Sequence, residues 1–530
     1  ANTVFGKSIG TIDAGTNYNT FIGDQIAGSN NLSDASDNTA IGYYVMNALT
    51  QGDNNVGIGS TTMQFNTTGG NNVGVGMSNL RYNQTGSNNV AVGVYSQRGV
   101  SGNSHSNNTS VGASSLYSVT TANANVAIGK ETLYSTTTGG SNTALGHQAM
   151  YYGTESDSNV AVGTSALEKN VTGDDNTAIG YQSQYGSSGQ SHSNNTSVGY
   201  KSLYSVTTGG NNVAVGYQSG DAITTGIFNT SLGASSLSAV TTNGYNTALG
   251  YGAGSGETGA NHVAIGFKAL FSGSSSYSNS VVGYQSGMSI TTGSNNSALG
   301  YGSLESLTTG GNNVAVGFDA LNSITTGSDN CSLGKNSLSA LTNGGNNIAI
   351  GSNAVNSLNG TGSSNSAGNR NIGIGGYALA NLKGTHADAF SDDNIGIGFQ
   401  AGLAGTRGSA VPFSANIALG NYALDATGTN TQTGTIAIGH QALTDLTSGA
   451  GNTAVGFESI KNLTTGTANT ALGRKALNSA DGAENNNVAI GSSAMQNANN
   501  DSTAKSVAIG ADAMVGVTSG KADRCIAIGF

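Results

Sequence analysis

Short apolar clusters recur along this chain at an interval of about 17 residues. Each opens with an alternating stretch closed by glycine, as in Asn212-Val213-Ala214-Val215-Gly216, Asn229-Thr230-Ser231-Leu232-Gly233 and Asn246-Thr247-Ala248-Leu249-Gly250. We number this unit from Asn212 as position 1, so that Gly216 is position 5. Position 4 is Val, Ile or Leu, position 2 is mostly Val, Thr or Ile, and position 3 is Ala, Ser or Gly except at Phe21 and Val281. Alternation with period two predicts a strand whose positions 2 and 4 share one face and whose position 3 takes the other. The expectation is that the aliphatic pair forms the core and that the small residue faces outward, against a neighbouring subunit. A second apolar cluster, as at Ala320, Leu321 and Ile324, leads into Thr325-Thr326-Gly327. It predicts a second short strand, with turns after Gly216 and at Gly226. Dense glycine and β-branched residues without a 3.6-residue stripe argue against helix.

About 29 copies run from Gly23 to Gly529. A fixed period of this length predicts stacked coils, each contacting only its neighbours. The fold class expected is all-β, a parallel β-solenoid or β-roll, with like positions stacked every ~4.8 Å. We divide it into a partial coil over 1–18, a regular solenoid over 19–351, a solenoid with insertions over 352–440, and a regular solenoid over 441–530. Invariant glycine at position 5 predicts a positive φ or a corner too tight for a Cβ. Asn at position 1, replaced at His262, Thr435, Ser506 and Cys525, predicts a side-chain ladder along the stack. Residues 104–112 and 191–199 both read Ser-His-Ser-Asn-Asn-Thr-Ser-Val-Gly, which points to duplication of multi-coil blocks.

Composition narrows the function classes. With 83 Gly but one Pro, and no Gly-X-Y period, the chain is not collagenous. A formal net charge of -10, without a basic patch, argues against nucleic acid and anionic membrane partners. No apolar run approaches the roughly 18 residues of a membrane-spanning helix. Cys331 and Cys525 lie about eleven coils apart, roughly 50 Å, too far to pair within one stack. They are expected to be small, half-buried thiols.

The motif Asn-x-Val-Ala-Ile/Val-Gly, at 125–129, 212–216 and 487–491, resembles the head repeats of trimeric autotransporter adhesins and the repeat arrays of phage tail fibres. The resemblance implies a β-roll, side-by-side association of three chains into a homotrimeric rod, and a role in attachment. It implies as partners a cell-surface glycan or protein receptor and further fibre or anchor proteins at the ends, in an extracellular or virion setting. The adhesin repeat is shorter than 17 residues, and no heptad stalk or anchoring barrel segment is recognisable.

Candidate chemistry is sparse. Gly-x-Gly at 57–59, 74–76, 373–375 and 396–398 lacks the strand-loop-helix context of a phosphate loop and follows from the repeat. Six histidines without a cluster or acid–base pair point away from catalysis, and no cofactor or metal is expected. Position 6 is often aromatic, at Tyr181, Tyr200, Tyr217, Tyr251, Phe267, Tyr284, Tyr301 and Phe318, and elsewhere holds Lys130, His147, Lys335 or Arg474. That mixture places it on the surface, either as a ladder for sugar stacking or as a packing row. His105 and His192 occupy equivalent, slightly longer coils and are expected in solvated loops, unless three copies meet around a metal. Between 352 and 440, anchor spacings of 24, 23, 22 and 19 create same-phase insertions. Their Arg370, His386, Asp388, Phe390, Asp392, Asp393 and Arg407 are the candidate receptor-binding residues. The chain ends in mid-coil at Phe530, where an uncapped coil is expected to dock or continue. The reading is a non-catalytic attachment fibre. The alternatives are a purely structural filament or spacer, or an ice-binding solenoid, which adjacent threonines on opposite faces support poorly.

Overall fold

The computed structural model describes residues 1–13, 15–28, 32–358, 368–382, 391–403, 413–426, 432–482, 484–497, 504–516 and 524–529. The chain divides into two compact units, Ala1–Ala260 and Asn261–Phe530. In the first, parallel strands run from β1 (Thr3–Lys7) to β15 (Thr247–Leu249), each paired in register with the next. Residues 1–18 thus contribute a strand of their own, with Gly6 opposite Gly23. In the second unit the same stacking runs from β16 (Val263–Ile265) to β32 (Ile526–Ile528). There β24 (Phe413–Ser414) and β26 (Gln432–Thr433) form a small parallel pair beside the main stack. No helix occurs among the described residues. Each unit is a parallel β-solenoid with a repeat of about 17 residues, as the periodicity requires.

Apart from the β24/β26 pair, one coil contributes one short strand, not two. The strand covers positions 2–4, as in β13 (Val213–Val215), and the second apolar cluster lies in consecutive turns. In these turns Lys201 (φ 52), Leu203 (φ 48) and Asn211 (φ 60) adopt left-handed conformations, and equivalent residues do so coil after coil. Their amides bond alternately backward and forward along the stack: Lys201 N–H donates to the Tyr181 carbonyl (2.9 Å) and Leu203 N–H to that of Ser219 (3.0 Å). The backbone groups a second strand would have paired are therefore still satisfied between coils. The tighter turns curl the chain around a narrow interior.

That interior reverses the expected faces. Position 3 points inward: Ala214, Ala248, Ala264, Ala298 and Ala315 are all buried. Positions 2 and 4 point outward, with Val213 41%, Leu249 42% and Leu299 52% exposed. The space opposite position 3 is already filled by the turn segment, where Leu203, Val206 and Ile223 are fully buried. A methyl group added at Gly57 would lie 2.8 Å from Val45, and one at Gly373 would lie 2.4 Å from Val355. Small residues mark the tight side of the strand. The two exceptions confirm the volume limit. Buried Val281 shares its coil with Gly287, where an added Cβ would approach both Val281 methyls at 3.2 Å. Buried Phe21 shares its coil with Ala27, where other coils carry Leu.

Two predicted features hold the coils in register. The position 5 glycines have φ near 135°, and a Cβ at Gly233 would lie 2.3 Å from the Gly250 carbonyl oxygen of the next coil. The Asn ladder forms as expected. Asn195 Oδ1 accepts from Asn212 N–H (2.9 Å) and from Asn212 Nδ2 (3.1 Å), while Nδ2 also donates to the Gly226 carbonyl (2.9 Å). His262 substitutes in kind: its Nδ1 accepts from Asn279 N–H (3.2 Å) and its Nε2 faces the Ser276 carbonyl (3.0 Å). Cys331 and Cys525 are half-buried, in line with expectation.

Candidate functional site

The position 6 aromatics stand on the surface in ladders. Tyr181, Tyr200 and Tyr217 stack with centroids 5.4 and 5.1 Å apart and planes within 11°. Phe267, Tyr284, Tyr301 and Phe318 do the same at 5.0–5.1 Å. A second aromatic row lies four positions further on: Tyr117, Tyr134 and Tyr151 stack at 4.9 Å, and Tyr185 stacks on Tyr204 at 5.2 Å. Lys201 sits over both Tyr200 and Tyr204 and so bridges the two rows. The ring faces inside a ladder are spent on each other, and solvent meets ring edges and phenol hydroxyls. A sugar ring that needs a free aromatic face finds one only where a ladder stops.

Of the insertion residues, His386, Asp388, Phe390 and Arg407 lie outside the described residues. The other three meet between coils. Arg370 holds Asp393 through two hydrogen bonds, Nε to Oδ1 at 2.6 Å and the terminal nitrogen to Oδ2 at 3.0 Å. That hydrogen bond lowers the Asp393 pKa and raises that of Arg370. Asp392 Oδ1 accepts from Asn369 N–H at 2.6 Å. This last contact belongs to a second ladder that the sequence reading missed. The residue two before the position 1 Asn accepts from the amide of the same position one coil earlier. Gly140 N–H donates to Asp157 (2.6 Å), Asp157 N–H to Asp174 (2.7 Å) and Asp174 N–H to Ser193 (3.0 Å). The recurrence of Asp, Ser or Asn there was the available signal.

His105 and His192 are not in solvated loops. Both are buried, and burial pushes their pKa values down to about 3 and about 4. Neither ring nitrogen of His105 has a hydrogen-bond partner, nor does Nε2 of His192. Their duplicated coils share a second interior polar group. Gln97 Nε2 donates to the Val90 carbonyl (2.8 Å) and Ser110 Oγ (3.0 Å), and Gln184 does the same to Thr177 (2.9 Å) and Ser197 (3.0 Å). Among the described residues no group of three or more His, Cys, Asp or Glu could hold a metal ion. Burial and the Asp445 charge push Asp425 up to about 6.

No protein-family model matches the chain, and comparison with curated proteins returns no relative. The functional reading therefore rests on its surfaces. In most Thr-Thr pairs the first hydroxyl is tied to the next coil, as Thr207 Oγ1 donates to the Thr224 carbonyl (3.1 Å) and Thr308 to Thr325 (2.8 Å), while the second, such as Thr208, faces solvent. Within each unit the outward face of the strands carries exposed aliphatic side chains, Val213, Leu232 and Leu249 in the first and Leu299, Val314 and Leu333 in the second. Among the described residues no helix is long and apolar enough to cross a membrane.

Proposed function

We propose that the chain is a non-catalytic attachment fibre, extracellular or part of a virion, whose copies associate side by side through the outward rows of its strands, aliphatic at position 4 and mostly Val, Thr or Ile at position 2. The carrying observation is that these rows face outward on an in-register parallel sheet. Within the first unit, fifteen strands span about 70 Å, and two side-chain rows about 7 Å apart form a strip of very roughly 500 Å², apolar throughout at position 4 and Thr or Val at position 2. That is in the range of the largest apolar patch on a monomer, which is often functional, and is a substantial part of the ~800 Å² per partner of a standard interface. The small-residue face, the interface expected from sequence, is the interior. A homotrimer is the stoichiometry the resemblance implies, and its three strips would meet along a common axis. Repetition then makes attachment multivalent, so weak single contacts sum.

The test is adsorption of the purified chain to a panel of bacterial envelopes. Saturable adsorption that unlabelled chain competes away supports a fibre with a receptor. Uniform absence of adsorption, with the associated state intact, replaces it with a structural filament or spacer.

A further inference from the structure

Arg98 takes the rung between two aromatic stacks. On one side Tyr82 stacks on Phe65, with centroids 5.2 Å apart and planes within 5°. On the other Tyr117 begins the ladder with Tyr134 and Tyr151. Tyr82 N–H donates to the Arg98 carbonyl (3.0 Å) and Gly99 N–H to that of Tyr117 (3.1 Å), so Tyr82, Arg98 and Tyr117 lie on consecutive coils. The Arg98 guanidinium carbon lies over both rings, 5.0 Å from the Tyr82 centroid and 5.2 Å from that of Tyr117. Arg81 sits one coil earlier, 5.1 Å from the same Tyr82 centroid, with its Nε donating to Gln64 Oε1 (2.9 Å). Aromatic rings hold a cation in place, yet they offer its N–H groups no strong acceptor. Among the described residues neither arginine has a carboxylate partner, and no hydrogen bond engages the Arg98 guanidinium. Other cations differ: Arg370 pairs with Asp393, Lys130 with Glu131 and Lys461 with Glu458. The sequence explains the contrast, because no Asp or Glu occurs between Asp53 and Glu131. Both arginines are half-buried, so solvent still reaches them.

We propose that Arg98, with Arg81 beside it, binds the oxyanion of an acidic glycan, a sugar carboxylate or a sugar-linked phosphodiester. Either group presents two oxygens to one guanidinium fork, the geometry that suits arginine to such anions. Two like charges in a stretch without acid make a local positive site on a chain whose formal net charge is -10. That background repels a long polyanion, so an anion carried singly on a sugar fits better than a nucleic-acid backbone. The flanking rings hold the cation between them before any ligand arrives, so little side-chain freedom is lost on binding. The glycan as carrier of the anion rests on the attachment reading, and the oxyanion site rests on the two arginines alone.

The test is saturation-transfer NMR on the full chain at low salt with methyl β-glucuronide, glucose 6-(methyl phosphate) and neutral methyl β-glucoside. It uses wild type, Arg98→Gln, Arg98→Lys, Arg81→Gln and Lys201→Gln. The expected result is transfer to at least one acidic probe, about tenfold above the neutral sugar. The two acidic probes distinguish a carboxylate from a phosphodiester as the source. Arg98→Gln should abolish the transfer. Arg98→Lys should weaken it about tenfold, because an ammonium keeps the charge without the fork, and Arg81→Gln should weaken it about threefold. Lys201→Gln removes a ring-held cation from a different coil and should leave it unchanged. Arg98→Lys keeps a cation between the rings and is expected to melt with the wild type, so its weaker binding would not reflect unfolding. No transfer to either acidic probe, equal transfer to the neutral sugar, wild-type transfer in Arg98→Lys, or equal losses in Arg98→Gln and Lys201→Gln would overturn the proposal. Envelope adsorption measured alongside separates it from the broader reading. A chain that binds an acidic probe but adsorbs to nothing keeps the site and loses the attachment role. A chain that adsorbs without transfer to either acidic probe does the reverse.

Discussion

The two faces of each anchor strand obey opposite rules. Inside, Ala144, Ala161 and Ala178 stack one above another without exposure, and the largest inner residues occur only where the opposing turn gives way, Val281 with Gly287 and Phe21 with Ala27. Outside, Leu145, Ile179 and Leu232 stack equally regularly yet remain exposed. In an ordinary sheet the larger apolar residue marks the core. In a coil of 17 residues the core is one side chain thick and the turn segment supplies it. Size is then limited on the inner face and free on the outer one.

The strongest way to break this contrast is to enlarge the inner row. Ala144→Leu, Ala161→Leu and Ala178→Leu together should cost about 1–3 kcal/mol per site, because each added isobutyl group must displace a fully packed turn. Chemical denaturation would read this as a loss of fold. Retained stability with lost association would return position 3 to an interface.

Acid tests the same interior by charge. The folded pKa values of His105 and His192, about 3 and about 4, lie below the ordinary ~6.5, so the unfolded chain binds protons more readily. Stability is full above pH 6.5 and falls as the pH drops through the interval down to pH 4–3. At pH 5 the loss is about 2 kcal/mol per histidine. Denaturation midpoints of wild type and His105→Gln/His192→Gln between pH 7 and 4.5 should converge at acid. A wild-type midpoint flat across that range would contradict the burial of these rings.

Smaller changes sharpen the picture. Gly287→Leu, which restores the usual turn residue opposite Val281, should destabilise by about 1–3 kcal/mol, and adding Val281→Ala should recover most of it. Additive effects would mean the two side chains do not share a space. Thr435 interrupts the Asn ladder: its amide donates to Asn416 Oδ1 (3.0 Å), but its own hydroxyl is buried without a partner. Thr435→Asn should raise stability by about 1 kcal/mol, measurable as a shift in midpoint.

Much of this was legible in the sequence. The period fixed the stacking, the invariant glycines marked a place where a Cβ would strike the next carbonyl, and Asn at position 1 announced its ladder. Surface aromatics followed from the charged residues that replace them. The faces were misread because alternation gives two faces without saying which is inner, and residue size was taken as the sign of burial. The second strand was expected because Leu and Ile recur there. Those residues fill the core from turns, in left-handed conformations that only the neighbouring coils' hydrogen bonds sustain. The buried histidines were missed because a polar Ser-His-Ser-Asn context looks solvated, whereas the longer coil folds the ring inward.

The most direct measurement of the central claim is mass by light scattering on wild type and on a variant with alternating charges on the outer row: Val198→Lys, Val215→Glu, Leu232→Lys and Leu249→Glu. These in-register neighbours can pair charges along the stack, so the fold should change by less than about 0.5 kcal/mol per site. The account predicts a wild-type particle of three 52.4 kDa chains and a variant shifted toward one, with unchanged thermal unfolding of the coils. A wild type that is monomeric at all concentrations, or a variant that associates as wild type does, would contradict it.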